Sequence, residues 1–451
     1  MAEISGRTFM IKVGFISLGC AKNQVDCERM MYRVQEAGYQ VQADVVGADV
    51  VVINTCGFID SAKSEAIDSI LQMAQLKEQG LVGKILVTGC LSQRYQQEIL
   101  NELPEVDGIL GTGSYTQVVP TIEKLLAGES VSDFASIDTP EEECGRILTT
   151  PEHYAYIKIA EGCDNRCAYC IIPYLRGKFR SRQMDDVLYE ARILAASGVK
   201  ELLVVAQDTS RYGTDFPEHK RLLPELLRQL CQIDGFEWIR VHYTYPDEID
   251  DAFIDVMATE PKIVKYLDIP IQHCNSKILK LMNRRGDRKH LEDLFAKLRA
   301  RIPGLVLRTS VITGLPGEGE EEFAELCQFL KEQRLERVGV FPFSPEEGTP
   351  AAEMEFVDSE IAQERAQQLE MIQSAIMDDY NGAMLGKTET VLVDGYDEDM
   401  GQFYGRTYAD SPEIDSRVWI ASQEALVEGT FVKVYIDGVV DGELSGYIME
   451  D

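Results

Sequence analysis

Ten residues, Glu161-Gly162-Cys163-Asp164-Asn165-Arg166-Cys167-Ala168-Tyr169-Cys170, carry the densest chemistry in the sequence. Their three cysteines form a Cys-x-x-x-Cys-x-x-Cys array. Thiolates this close repel one another unless a cation holds them, so the spacing points to a metal. Zinc usually takes four ligands, commonly as two Cys-x-x-Cys pairs, and no second pair lies nearby. Iron–sulfur clusters also normally use four thiolates. Three leave one iron open to a substrate or cofactor, as in a catalytic metal site. Metal-free thiols on a tight loop, or half a zinc site, are the plain alternatives.

The array resembles the signature of the radical S-adenosylmethionine (SAM) superfamily, including the aromatic Tyr169 before the last cysteine. The resemblance implies a 4Fe–4S cluster on Cys163, Cys167 and Cys170, with SAM chelating the open iron.

A second set is dispersed. Three apolar runs end in cysteine: Val13 to Cys20, Val50 to Cys56 and Ile85 to Cys90. β-Branched residues bounded by Gly and Asn predict buried strands. Helical stretches follow at Gln24 to Ala37, Ile59 to Lys77 and Gln93 to Asn101. Alternating strands and helices predict a parallel sheet, and all three cysteines then lie just past carboxyl strand ends, where such sheets bind ligands. Three buried core cysteines would be the bland reading. Cys27, Cys144, Cys231, Cys274 and Cys327 lack this placement and read as structural.

Ser17-Leu18-Gly19-Cys20-Ala21-Lys22-Asn23, Asn54-Thr55-Cys56-Gly57-Phe58-Ile59 and Thr88-Gly89-Cys90-Leu91 resemble the amino-terminal domain of the methylthiotransferases. The resemblance implies a second 4Fe–4S cluster on Cys20, Cys56 and Cys90, also with one open iron.

The elements that must position the first array form a partial barrel. Strands are predicted at Ala155 to Ile159, Glu201 to Ala206, Trp238 to Tyr243, Tyr266 to Ile269, Leu305 to Ile312 and Arg337 to Phe341, with helices between them. Six such units suggest a partial (βα)6 barrel rather than the closed eight-fold form. Polar groups follow the strand ends at Gln207-Asp208-Thr209, Gln272-His273 and Thr313-Gly314-Leu315-Pro316-Gly317, and side chains there face the barrel mouth. These stretches resemble methylthiotransferase segments, which implies Tyr169, Gln207, Asp208 and Gly314 as SAM contacts; no catalytic residue is expected beyond the cluster ligands. His273 reads equally as a satisfied imidazole. Arg176 to Arg182 puts four cations beside the cysteine loop, either a solvated face or a patch for an anionic substrate or RNA.

The chain holds 451 residues and a net charge of −32, from 76 acidic against 44 basic residues. That balance disfavours a nucleic-acid binder and suits a basic protein partner. The polar opening, Met1 to Arg7, reads as no secretory signal, and no apolar stretch reaches membrane length. A cytoplasmic protein with reduced thiols follows as the expectation.

At the carboxyl end, a helical pattern over Asp358 to Tyr380 gives way to period-two strands at Thr388 to Val393, Gln402 to Tyr408, Val418 to Ile420, Thr430 to Ile436 and Leu444 to Met449. They predict a small closed β-barrel that resembles the TRAM domain. Residues 388–451 carry 15 Asp or Glu against Arg406, Arg417 and Lys433. Tyr404, Tyr408 and Trp419 could stack bases, but the field is wrong for RNA.

The expected architecture is therefore α/β and multidomain. A parallel α/β domain spans 8–130, a linker 131–150, a radical SAM barrel 151–355, a connecting helix 356–384 and a TRAM-like β-barrel 385–451. The Arg406 to Asp415 segment resembles the branch that modifies an aspartate of small-subunit ribosomal protein number twelve. That resemblance implies a SAM-dependent enzyme adding a methylthio group to the aspartate β-carbon, with two 4Fe–4S clusters, a basic ribosomal protein substrate, an electron-donor protein, and no tRNA or membrane partner. A tRNA adenosine methylthiotransferase and a non-catalytic cluster scaffold or redox sensor are the competing readings.

Overall fold

The computed structural model describes residues 10–140 and 142–449. The expected domain start at residue 8, the opening at residues 1–7, Glu141 of the linker and the last two barrel residues lie outside the described residues. Two compact units emerge. The first holds the chain up to Thr149 together with Glu161–Asp164 and Cys170–Arg180; the second holds Thr150–Ala160, Asn165–Tyr169 and the chain from Ser181.

The first unit is built on strands β1 (Lys12–Ser17), β2 (Gln40–Gln42), β3 (Val50–Thr55), β4 (Lys84–Gly89), β5 (Gly108–Leu110) and β6 (Val131–Asp133). They pair in the order β2-β1-β3-β4-β5-β6, parallel throughout. Helices α1 (Ala21–Glu36), α2 (Asp60–Glu78), α3 (Cys90–Tyr95), α4 (Gln97–Glu102) and α5 (Val118–Leu126) connect them. All six β3 residues are buried, as befits a strand covered on both faces.

Two expectations are corrected here. The helix expected over Gln93 to Asn101 is broken by Gln96, whose left-handed φ of 44° separates α3 from α4, and α3 begins at Cys90 itself. Residues 131–150 are no free linker: β6 pairs with β5, and the following segment is bonded to α1. Glu28 accepts from Arg146 at 2.6 Å and from the Thr149 backbone at 2.8 Å, while Arg29 reaches Glu143 at 3.1 Å. Acidic residues in that stretch serve the arginines of α1, which composition alone does not reveal.

β7 (Tyr154–Lys158) opens the second unit and leads to the cysteine loop, which the two-residue strands β8 (Ala160–Glu161) and β9 (Arg180–Ser181) flank; α6 (Ile172–Arg176), between them, belongs to the first unit. Then come α7 (Met184–Ala196), β10 (Glu201–Val205), α8 (Leu223–Cys231), β11 (Trp238–Val241), α9 (Asp251–Thr259), β12 (Ile263–Asp268), α10 (Ser276–Leu281), α11 (Arg288–Arg301), β13 (Val306–Thr313), α12 (Glu320–Gln333) and β14 (Arg337–Pro342). The six strands form an open parallel sheet, β14-β13-β12-β11-β10-β7, which is the partial barrel. β11 stops at Val241 rather than Tyr243, because Tyr243 turns to a φ of 59°.

Helix α13 (Ser359–Gly382) is capped by Asp358, which accepts from Glu360 N at 2.9 Å. Strands β15 (Thr388–Asp397), β16 (Gln402–Arg406), β17 (Val418–Ala421), β18 (Phe431–Val440) and β19 (Glu443–Ile448) close a five-stranded barrel. β16 ends at Arg406, so Tyr408 lies beyond it, donating to Gly304 O at 2.9 Å.

The chain between β16 and β17 fastens this barrel to the partial barrel. Arg337 pairs with Asp410 at 2.7 Å, Tyr266 donates to Asp415 at 2.6 Å, and His242 meets the Ser411 hydroxyl at 2.9 Å. Among the described residues, no helix is long and apolar enough to cross a membrane.

Candidate metal centres and cofactor site

In the first unit, Cys20, Cys56 and Cys90 follow β1, β3 and β4, which are neighbours in the sheet. Adjacent strands lie about 4.8 Å apart, so topology gathers the three loops. Two glycines allow the last approach. A Cβ on Gly19, at φ +93°, would lie 2.7 Å from Cys56 Cβ and 3.3 Å from its Sγ. A Cβ on Gly57 would lie 2.8 Å from Leu91 N, beside Cys90. Cys20 is also the N-cap of α1, and Cys90 opens α3.

The three thiols sense one another. Surrounding protein opposes charge on Cys20, but Lys22, Arg176 and the N–H groups of Asn23 and Lys22 outweigh it and lower its pKa. Burial pushes Cys56 up, with Cys20 adding to the effect. Burial likewise pushes Cys90 up to about 11, against the pull of Arg176. A cationic centre would favour the thiolate form of all three.

Arg176 corrects the reading of a solvated basic run. It is 3% exposed, pairs with Asp26, reaches Glu161 at 3.2 Å and donates to Asn23 Oδ1 at 2.9 Å. Arg182 is also buried, bonded to Lys158 O at 2.6 Å and Glu190 at 2.7 Å. These guanidiniums are internal ties, not a surface for anions. Cys27 is fully enclosed, and burial pushes its thiol up to about 12, as suits a structural residue.

Within the Cys163-to-Cys170 array, Cys163 N donates to Gly177 O at 3.1 Å in the first unit. Cys163 and Cys170 are half-buried and Cys167 is buried. In the second unit, Cys167 Sγ lies 3.5 Å from the Tyr245 hydroxyl and 3.7 Å from Arg284 Nη1. Arg284 also donates to the Tyr169 hydroxyl at 3.1 Å. Asn165 donates to Asp208 at 2.7 Å, and Ser210 donates to the same carboxylate. Burial pushes the Asp208 carboxyl up, against both donors.

Tyr169, Asp208 and Cys167 thus share one neighbourhood. Gln207 sits half-buried just past β10. Gly314 is differently employed: at φ +77° its missing side chain makes room for Ala362 of α13, whose Cβ lies 2.5 Å from where a Gly314 Cβ would be. Its N–H donates to Glu318 at 2.9 Å. His273 is fully buried and accepts from Asn275 N at 2.9 Å through Nδ1; its Nε2 lies 3.3 Å from Glu318 Oε2 without a hydrogen bond, so the imidazole is only half satisfied. Arg284 and Tyr245 escaped the sequence reading; the only hints were Asn283-Arg284-Arg285-Gly286 after a helix and Tyr245 after a strand.

Among the described residues, no three His, Cys, Asp or Glu side chains are arranged around one ion. The thiolates of a four-iron cluster each take a different iron, and both donor sets are purely thiol, the ligand type clusters use. The ligand type in both sets fits iron–sulfur clusters.

Three family models match the chain: the uncharacterized protein family UPF0004 over residues 12–111, the radical SAM superfamily over 157–330 and the TRAM domain over 385–449. Among curated relatives, "Ribosomal protein uS12 methylthiotransferase RimO" of Lachnoclostridium phytofermentans is 46% identical, covering 97% of this chain and 99% of its own. Its namesakes in Acetivibrio thermocellus and Clostridioides difficile are 43% and 44% identical, each covering 98% of this chain and 99% of their own. Among solved structures, the radical S-adenosylmethionine methyltransferase TsrM from Kitasatospora setae, with cobalamin and a 4Fe–4S cluster, aligns with a TM-score of 0.57 at 13% identity, over 76% of this chain and 74% of that one. That likeness shows the fold alone.

Proposed function

The chain belongs to the family of ribosomal protein uS12 methylthiotransferases, RimO, and on that footing we propose that it transfers a methylthio group to the β-carbon of an aspartate in ribosomal protein uS12. It is a radical SAM enzyme using SAM and two 4Fe–4S clusters. The observation that carries the reading is the pair of separate three-cysteine sets in a chain that matches these relatives end to end.

Cys163, Cys167 and Cys170 would hold the cluster that works with SAM, and Cys20, Cys56 and Cys90 the second. When bound, these groups supply hydrogen-atom abstraction from an unactivated carbon and the sulfur to replace it, chemistry beyond any side-chain base. The protein's share is binding, orientation and exclusion of water. Tyr169, Gln207 and Asp208 are the proposed SAM contacts, with Gly314 shaping the site through its packing on Ala362.

A basic substrate suits the terminal barrel. Of the three cations in residues 388–451, Arg406 is buried in ion pairs, Arg417 lies over the Tyr404 ring at 4.6 Å, and Lys433 bonds Thr390 Oγ1 at 2.7 Å. The acidic excess is left to face a partner. A low-potential protein electron donor and a cytoplasmic setting complete the reading.

The test is anaerobic reconstitution followed by mass spectrometry of uS12 and of tRNA after turnover with SAM. A methylthio mass on the uS12 aspartate supports the proposal. Modification of tRNA alone, or clusters that never cleave SAM, would reject it.

A further inference from the structure

Resting on the reading above, we propose that Arg284 is a positioning residue whose guanidinium favours the one-electron-reduced state of a cluster held by Cys167. Eight arginines are buried among the described residues, and seven pair with carboxylates: Arg29, Arg176, Arg182, Arg240, Arg337, Arg365 and Arg406. Arg284 does not. Its partners are Cys167 Sγ at 3.7 Å, the Tyr169 hydroxyl at 3.1 Å, Pro270 O at 2.5 Å and the face of Tyr245 at 4.3 Å. A buried cation without a counter-ion is costly, so the fold keeps this one for an anion not supplied by any Asp or Glu. The Cys167 sulfur, anionic once it ligates a cluster, is the acceptor in reach.

The backbone is bent to bring them together. Arg166 and Asn283, each next to one partner, both adopt left-handed φ, 51° and 54°, and Asn283 Nδ2 donates to Arg166 O at 2.9 Å. Such strain persists only where surrounding structure enforces it. Reduction adds one electron from an external one-electron donor with no proton uptake, so the site becomes one charge more negative, and a fixed cation favours that state.

The test is a potentiometric titration followed by electron paramagnetic resonance on the anaerobically reconstituted full chain. The signal that responds to SAM reports the cluster in question. Arg284→Met should lower its reduced-to-oxidised ratio at the wild-type midpoint at least tenfold, about 59 mV for one electron. Arg284→Lys should recover most of the shift, Tyr245→Phe should give a smaller shift of the same sign, and the other cluster should not move. An unchanged midpoint with full iron content, equal shifts in both clusters, or weaker SAM binding at constant midpoint would overturn the proposal. Wild-type chain that takes up no iron would instead sink the parent reading.

Discussion

Glu201 at the start of β10 accepts a hydrogen bond from Arg406 of the terminal barrel at 2.7 Å, while its other oxygen accepts from Arg240 at the same distance. Arg406 continues to Asp394, which in turn meets His153 at 2.8 Å. Arg406→Met removes the middle of this buried chain and leaves Glu201 with one cation and Asp394 with only His153. Breaking such a pair costs about 3–5 kcal/mol. Urea denaturation should show the loss, and the Glu201→Gln, Arg406→Met double variant should be less destabilised than the sum of the singles.

Asp268 makes the acid limit of stability predictable. Burial opposes its charge, but His242 at 3.8 Å, the Arg308 guanidinium at 2.9 Å and the Tyr243 N–H at 3.1 Å together hold its pKa down, to about 2. A depressed carboxyl contributes stability that is complete above its unfolded value, ~3.9, and is lost as pH falls toward the folded value. The contribution is on the order of 2–3 kcal/mol. Denaturation midpoints of wild type and Asp268→Asn should converge as pH falls from 5 to 2.

Gly19→Ala should cost the Cys20/Cys56/Cys90 cluster its fit, because the added Cβ meets Cys56 Cβ at 2.7 Å. Gly47→Ala is the control: its φ is also positive, +80°, yet nothing lies within 4 Å of the added atom. Iron per reconstituted chain should fall by about half in the first variant and stay at the wild-type level in the second.

Gly314→Ala should destabilise the second unit through Ala362 rather than through SAM. Ala362→Gly in the same chain should restore most of the melting temperature, leaving only the cost of a left-handed alanine, about 1 kcal/mol. Failure of that rescue, with SAM binding lost, would return Gly314 to the ligand.

Much of the fold was legible because it rests on local pattern. The six partial-barrel strands and five terminal strands are short apolar or alternating runs, and helices lie between the barrel strands as expected. Both cysteine sets were legible from spacing and neighbours. What escaped rests on distant partners. Nothing near Arg176 in sequence tells that Asp26 awaits it, and nothing near Gly314 reveals Ala362. Acidic character made 131–150 look like a tether because Arg29 and Arg146 lie far apart in sequence from the acids they meet.

The first unit borrows Cys170–Arg180 from beyond β7, and that loan has a temporal side. As the chain is synthesised, Asp26 and Asn23 emerge some 150 residues before the guanidinium that will occupy them. Until that segment leaves the ribosome, Asp26 and Asn23 of helix α1 lack the guanidinium that ties them in the finished fold. Completion of the amino-terminal unit therefore follows translation of the cysteine loop, and a polypeptide released at residue 150 should be prone to proteolysis in the cell.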